Sequence, residues 1–214
     1  MNCCGVHTRG ANRLFSWLAA GYCRRFKRKG FEPSQRQLLT GLAQQGVDNA
    51  TVLEIGSGVG HLHMTLLERG AQRAVGVDLS PRMLQLARGW AQERGLAERV
   101  TYVEGDFVQR VDAFETADVT VLDKVICCYP DARALVTASL AKTERIYAFT
   151  IPRNRWSVRL GVMVGTAIMR VLRCGFHPYL HDPATVDAWV TDQGFERVYE
   201  ETTWGWLTRV YARQ

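Results

Sequence analysis

Val52-Leu53-Glu54-Ile55-Gly56-Ser57-Gly58-Val59-Gly60 decides how this chain is read. Thr51 to Ile55 has strand character, three glycines then alternate with other residues, and a stretch with Leu62, Leu66 and Leu67 at helical spacing follows. Glycines between a strand and a helix permit a tight turn and let a ligand approach the backbone. In open α/β sheets that ligand lies beyond the C-terminal ends of the strands. Nucleotide-dependent dehydrogenases place a third glycine as G-x-G-x-x-G. Here it falls one residue early, and position 61 is His. No Lys or Arg between Glu54 and His63 is available for a pyrophosphate. Glu54 itself opposes an anionic ligand and favours a cationic one. The spacing therefore disfavours a nucleotide-binding oxidoreductase.

Outward from this loop, short apolar runs alternate with amphipathic ones. Ala74 to Val77, Val100 to Val103, Asp118 to Leu122 and Arg145 to Ile151 read as further strands. Ser80-Pro81 is a helix start, with Ser as cap and Pro at the first helical position, and Met83, Leu86, Ala87 and Trp90 form the buried face. A helix from Ala132 to Leu140 precedes the fifth strand. Strands separated by helices imply a parallel sheet with right-handed crossovers. Phe195 to Thr202 and Leu207 to Ala212 lie close together, and Gly205 between them suits a hairpin turn. The fold class expected is α/β: a Rossmann-like, doubly wound, mostly parallel seven-stranded sheet with a C-terminal antiparallel hairpin.

Residues 1–50 are expected to form an N-terminal helical cap and residues 51–214 the main domain. In the cap, Leu14, Trp17, Leu18, Tyr22 and Phe26 recur at three- and four-residue steps as one apolar face. Pro33 starts a second helix through Leu38, Leu39 and Leu42, which Gly46 ends. The segment Ser157 to Leu172 is mostly apolar but broken by Arg159 and Arg170. It reads either as a core-facing helix or as one that touches a membrane or covers a substrate.

The 214 residues suffice for one domain with a proper core. No spanning segment or signal peptide is recognised, so a cytoplasmic, at most membrane-peripheral, location is expected. Six cysteines (Cys3, Cys4, Cys23, Cys127, Cys128 and Cys174) include two adjacent pairs and no CxxC. Reduced thiols are expected, and no metal site. The net charge of +6 owes much to Arg24-Arg25-Phe26-Lys27-Arg28-Lys29, a solvated helix end or a site for an anionic partner. The aromatic and glycine signature of RNA-binding modules is absent, which disfavours nucleic acid.

Two acidic residues complete the pattern. Asp78 ends the second strand, where a carboxylate can accept from ribose hydroxyls. Asp106 follows the third, with Phe107 beside it. The ordered set Glu54-Ile-Gly-Ser-Gly-Val-Gly60, Val75-Gly-Val-Asp78-Leu-Ser80, Glu104-Gly-Asp106-Phe107 and Asp118-Val-Thr-Val-Leu-Asp123 resembles the motifs of class I S-adenosylmethionine-dependent methyltransferases. The resemblance spans roughly Thr51 to Pro152 and implies S-adenosylmethionine as cofactor. It implies that Gly56, Ser57, Gly58 and Gly60 cradle the methionine part, and that Glu54 orients the loop and the amino group. It places the ribose on Asp78, the adenine between Leu79 and Met83 with Asp106 and Phe107, and Asp123 at the cofactor's edge. Asp123-Lys-Val-Ile-Cys127-Cys128-Tyr129-Pro-Asp131, followed by Tyr147 to Arg153, is similar to the corresponding stretch of magnesium-protoporphyrin O-methyltransferases, which methylate a propionate carboxylate.

A methyl transfer asks mainly for alignment and exclusion of water, so a missing catalytic triad does not count against it. A small-molecule acceptor is expected, a carboxylate oxygen foremost. A thiol or other soft acceptor, and a non-catalytic cofactor-binding module, are the alternatives. Tyr22, His61 and Tyr129 are the candidates for a catalytic role, as residues able to orient or deprotonate an acceptor.

Overall fold

The computed structural model describes residues 3–171 and 175–213, the side chains of residues 3–9 excepted. Leu172 and Cys174, and the side chains of Cys3 and Cys4, therefore lie outside the described residues. Two helices, α1 (Cys3–Lys29) and α2 (Pro33–Gln45), lead into β1 (Thr51–Ile55), α3 (His61–Glu68), β2 (Arg73–Asp78), α4 (Pro81–Glu93) and β3 (Val100–Glu104). Then come β4 (Ala117–Asp123), α5 (Ala132–Leu140), β5 (Thr143–Pro152), α6 (Trp156–Val171), α7 (Pro183–Thr191), β6 (Glu196–Thr202) and β7 (Trp206–Ala212).

The seven strands form one sheet in the order β3-β2-β1-β4-β5-β7-β6. The first five pair in parallel, and β7 runs antiparallel to both β5 and β6. This is the Rossmann-like, doubly wound arrangement with the terminal hairpin expected from the alternating pattern. Strand order reverses between β1 and β4, so a crevice opens beyond their C-terminal ends. The glycine loop follows β1 and Asp123 ends β4, so both stand at that crevice.

The sheet separates two apolar layers. Leu38, Leu42, Leu66, Trp90 and Val210 belong to one, and Leu135, Tyr147, Phe149, Phe195 and Tyr211 to the other. The buried tyrosines keep their hydroxyls bonded: Tyr211 donates to Asp187 Oδ1 at 2.6 Å, and Tyr147 lies 2.8 Å from Ser139 Oγ. Ser80 caps α4 as expected, accepting from the Met83 backbone N–H at 3.2 Å. Its hydroxyl also meets Ser16 Oγ at 2.8 Å, which ties α1 to α4.

Two features differ from expectation. On α1, Ala11, Ala19 and Cys23 are buried, with Phe15 and Phe26 packed on the core. Leu14, Leu18 and Tyr22 instead face a cavity, and Trp17 is 79% exposed. The helix divides its apolar residues between core and cavity, which periodicity alone does not separate. On α6 none of the described residues is buried. Of the two readings of this segment, the core-facing one therefore gives way to the alternative of a helix that covers a cavity.

Candidate active site

The crevice deepens into a cavity of about 740 Å³. Its floor is the glycine loop with Asp78, Asp106 and Asp123, and its roof comes from α1, α6 and the turn before β7. All eleven residues expected at the cofactor except Gly60 line it.

The loop is built from beneath. Ser57 donates its N–H to Val77 O at 2.9 Å, and Gly58 donates its N–H to Asp78 Oδ2 at 2.8 Å. The other Asp78 oxygen accepts from Ser80 N–H at 2.8 Å. Burial raises the Asp78 carboxyl from its usual 3.8 to about 6. The Ser80 and Gly58 bonds work against that rise, and nearby Glu54 adds to it.

Glu54 holds the start of α3. Its buried Oε2 accepts from the His63 backbone N–H at 3.1 Å and from ring Nδ1 at 2.6 Å. The His63 Nε2 lies 3.0 Å from the Tyr102 hydroxyl on β3. Gly76 makes room for this cluster. A Cβ there would sit 3.0 Å from Ser57 Oγ and 3.2 Å from both the His63 and Tyr102 rings. Tyr102 was not among the expected site residues, and His63, which follows the glycine loop, was expected only as a possible base. The available signal was a histidine on the first turn of the helix whose loop begins with a buried acid.

At the Asp106 end of the cavity, Tyr129 O–H lies 3.0 and 3.1 Å from the two Asp106 oxygens. Asp106 also accepts from Val108 N–H at 3.0 Å and from Gln109 Nε2 at 3.2 Å. Tyr129 is thereby fastened to the floor. Phe107 packs on Phe114, with centroids 5.0 Å apart, while still lining the cavity. Leu79 and Met83 line it from the start of α4.

At the far end, Asp123 accepts from Gln35 Nε2 at 2.8 Å and from the Thr150 hydroxyl. Glu32 bridges Lys124 and Arg25, the latter at 2.9 Å. These bonds pin the α1–α2 junction to the loop after β4. Tyr22 stands beside this group. Burial first, then Glu32, pushes its hydroxyl above the usual 10, so it serves as a neutral hydrogen-bonding group at ordinary pH. Cys127 is buried, and its contact with Cys128 together with burial raises its pKa. It remains a thiol, the less nucleophilic and less metal-avid form.

His61 lies in an aromatic stack, 3.6 Å from the Phe26 ring and 4.4 Å from Trp90. Burial depresses its pKa to about 3, and neither ring nitrogen has a hydrogen-bond partner among the described residues. A group so reluctant to take a proton is a poor general base near pH 7. His61→Phe is expected to hold or raise stability by about 1 kcal/mol, because it removes two unsatisfied buried nitrogens and keeps the stack. Calorimetric unfolding checks this, and a clear fall would show that a ring nitrogen has an essential partner.

Residues 52–143 match the family model described as a methyltransferase domain. Among curated proteins, the ribosomal protein L11 methyltransferase of Pectobacterium carotovorum (strain PC1) is 34% identical over 71 residues, 33% of this chain and 24% of that protein. The same enzyme from Klebsiella pneumoniae (strain 342) is 41% identical over 64 residues, 30% and 21% of the respective chains. The chain thus spans about a quarter of the length of the curated relatives it matches. Among solved structures, magnesium protoporphyrin IX methyltransferase from Synechocystis PCC 6803, with bound SAH, superposes with a TM-score of 0.69 at 19% identity, covering 94% of this chain and 98% of that one. An O-methyltransferase family protein from Burkholderia thailandensis gives 0.66 at 19%, covering 85% and 56%. At such identities the superpositions speak for the fold, and the family match speaks for the central segment. Residues 52–143 thus match a methyltransferase domain, and the chain as a whole has the Rossmann-like fold of these solved structures.

Proposed function

We propose that this chain transfers a methyl group from S-adenosylmethionine to a small-molecule acceptor, with a carboxylate oxygen as the first acceptor class to test. The observation that carries the reading is one cavity joining the glycine loop and its acids to an apolar chamber beneath α1 and α6. Its volume suits small-molecule sites.

The residues present fit the cofactor. A Cβ on Gly58 would meet nothing within 4 Å among the described residues, so the loop presents bare backbone beside open space. The Asp78 oxygens accept from the Gly58 and Ser80 N–H groups, and a carboxylate's remaining lone pairs can receive ribose hydroxyls. The floor offers Glu54, Asp78, Asp106 and Asp123 to a cationic ligand. In this reading Gly56, Ser57, Gly58 and Gly60 shape the methionine site, Glu54 fixes the loop through His63, and Leu79, Met83, Asp106 and Phe107 receive the adenine. When bound, S-adenosylmethionine supplies a methyl on a good leaving group.

The chain's own task is alignment, worth roughly 7–11 kcal/mol in favourable cases. Residues 1–50 act as a cap: α1 shields the chamber from water, and Tyr22 donates a hydrogen bond to an acceptor oxygen. Arg25 and Lys124 line the cavity, both ion-paired to Glu32, and an anionic acceptor would share them with that carboxylate. A carboxylate arrives ionised, so no strong base is required of Tyr22, His61 or Tyr129.

The test is transfer of labelled methyl to a panel of a porphyrin propionate, a fatty acid, a phenol, an amine and a thiol. Transfer to the carboxylates is the expected result. Transfer confined to the thiol would replace the acceptor class. Calorimetric binding of S-adenosylhomocysteine without transfer to any member would favour a binding module, and no binding would overturn the reading.

A further inference from the structure

Helix α6 has two apolar faces, and among the described residues only one is covered. At 3.6 residues per turn its side chains fall into sectors. Ser157, Gly161, Gly165 and Met169 line the cavity. Trp156, Leu160, Met163, Val164, Ile168 and Val171 occupy the adjoining outward sector, and all six are exposed, Trp156 by 79% and Val171 by 83%. Arg155, Arg159 and Arg170 fall together along one edge of that sector and are exposed. From Arg153 to Val171 the sequence holds four arginines and no carboxylate. Scattered apolar side chains on a surface are ordinary, but six large ones on one sector of one helix are not.

We propose that this face of α6 docks on an anionic lipid bilayer, with the helix lying in the interface. The arginine edge selects the occupant. Guanidinium groups beside an apolar stripe can reach headgroup phosphates while their stems lie along the acyl boundary. A tryptophan at the helix end suits the same depth. The sixteen residues of α6 extend about 24 Å, short of a hydrocarbon core of about 30 Å. Among the described residues no helix is long and apolar enough to cross a membrane. The helix therefore lies on the surface. Its other face roofs the cavity, so docking would place the chamber against the bilayer and admit an amphiphilic acceptor from it. That last step rests on the methyltransferase reading, whereas the docking itself does not.

The experiment is co-sedimentation of the full chain, without cofactor or acceptor, with vesicles of phosphatidylcholine alone or mixed with phosphatidylglycerol. Binding to the anionic vesicles is expected, weakened but not abolished by high salt. Met163→Glu with Ile168→Glu should lower it at least tenfold. Arg159→Glu with Arg170→Glu should lower it by roughly fivefold or more per residue at low salt. These side chains point outward, so circular dichroism should be unchanged. Absent binding to either vesicle, or undiminished binding by Met163→Glu/Ile168→Glu, overturns the proposal. So does a concentration-dependent dimer, seen in sedimentation velocity without vesicle binding and broken by the same substitutions. Because methyl transfer is not measured, none of these outcomes bears on the catalytic reading.

Discussion

Asp78→Ala is expected to weaken S-adenosylhomocysteine binding by about 1.5–3 kcal/mol, the range for a hydrogen bond to a charged group, or roughly ten- to a hundred-fold. The carboxylate acts twice: it offers itself to the ribose, and it holds the loop through Gly58 N–H. Its titration gives a sharper test. Burial raises the folded-state value from 3.8 to about 6, so the free folded protein holds this proton more tightly than the unfolded chain. The stability linked to Asp78 is therefore fully present below about pH 4 and is lost as pH rises through about 6. Ligand affinity should run the other way. Ribose hydroxyls donate to the ionised form, so affinity climbs between pH 5 and 7 in about the same window. Asp78→Asn should bind more weakly and show neither trend. Calorimetric titration at several pH values, beside unfolding of the free protein, checks both slopes. An affinity that is flat from pH 5 to 7 in the wild type would mean that Asp78 does not face the ribose.

The strands and the glycine loop were legible because each signal is local. Thr51 to Ile55, the three alternating glycines and the Ser80-Pro81 start are short patterns whose physics does not depend on distant partners. The acids Asp78 and Asp106 were legible as positions after strands. Their bonds were not, since Asp106 meets Tyr129 across 23 residues and Asp78 meets Gly58 across 20. The structural role of His63 was not legible for the same reason. Its ring is completely buried, and both partners, Glu54 and Tyr102, come from strands on which it does not lie. The α6 segment shows a different limit. Hydropathy states what a side chain prefers, not whether the fold supplies a neighbour. An apolar run without a neighbour reads like a core helix until the layers are assembled. Trp17 on α1 makes the same point, since it shares the spacing of Leu14 and Leu18 yet points to solvent.

The two glycines of the loop that bracket Val59 should fail in opposite ways when given a methyl group. Both adopt left-handed backbone, φ 54° at Gly58 and 81° at Gly60, which costs an L-residue roughly 1–2 kcal/mol. Beyond that shared strain their surroundings differ. A Cβ on Gly60 would lie 2.7 Å from His63 Cε1, 2.8 Å from Nε2 and 2.9 Å from Met64 Cε. His63 cannot yield, because Glu54 holds one side of its ring and Tyr102 meets the other. Overpacking of this kind adds about 1–3 kcal/mol, so Gly60→Ala should lose about 2–5 kcal/mol of stability in all. At Gly58 the Cβ meets nothing, so Gly58→Ala should lose only the strain. Its methyl would instead stand in the open space beside the loop, where bare backbone is proposed to meet the methionine part. Urea unfolding should therefore rank Gly60→Ala as the less stable variant, while calorimetry ranks Gly58→Ala as the weaker binder per folded molecule. Equal stability of the two variants would mean that the His63 ring moves freely, against the Glu54–His63–Tyr102 arrangement. Undiminished binding by Gly58→Ala would place the cofactor elsewhere in the cavity than against this loop.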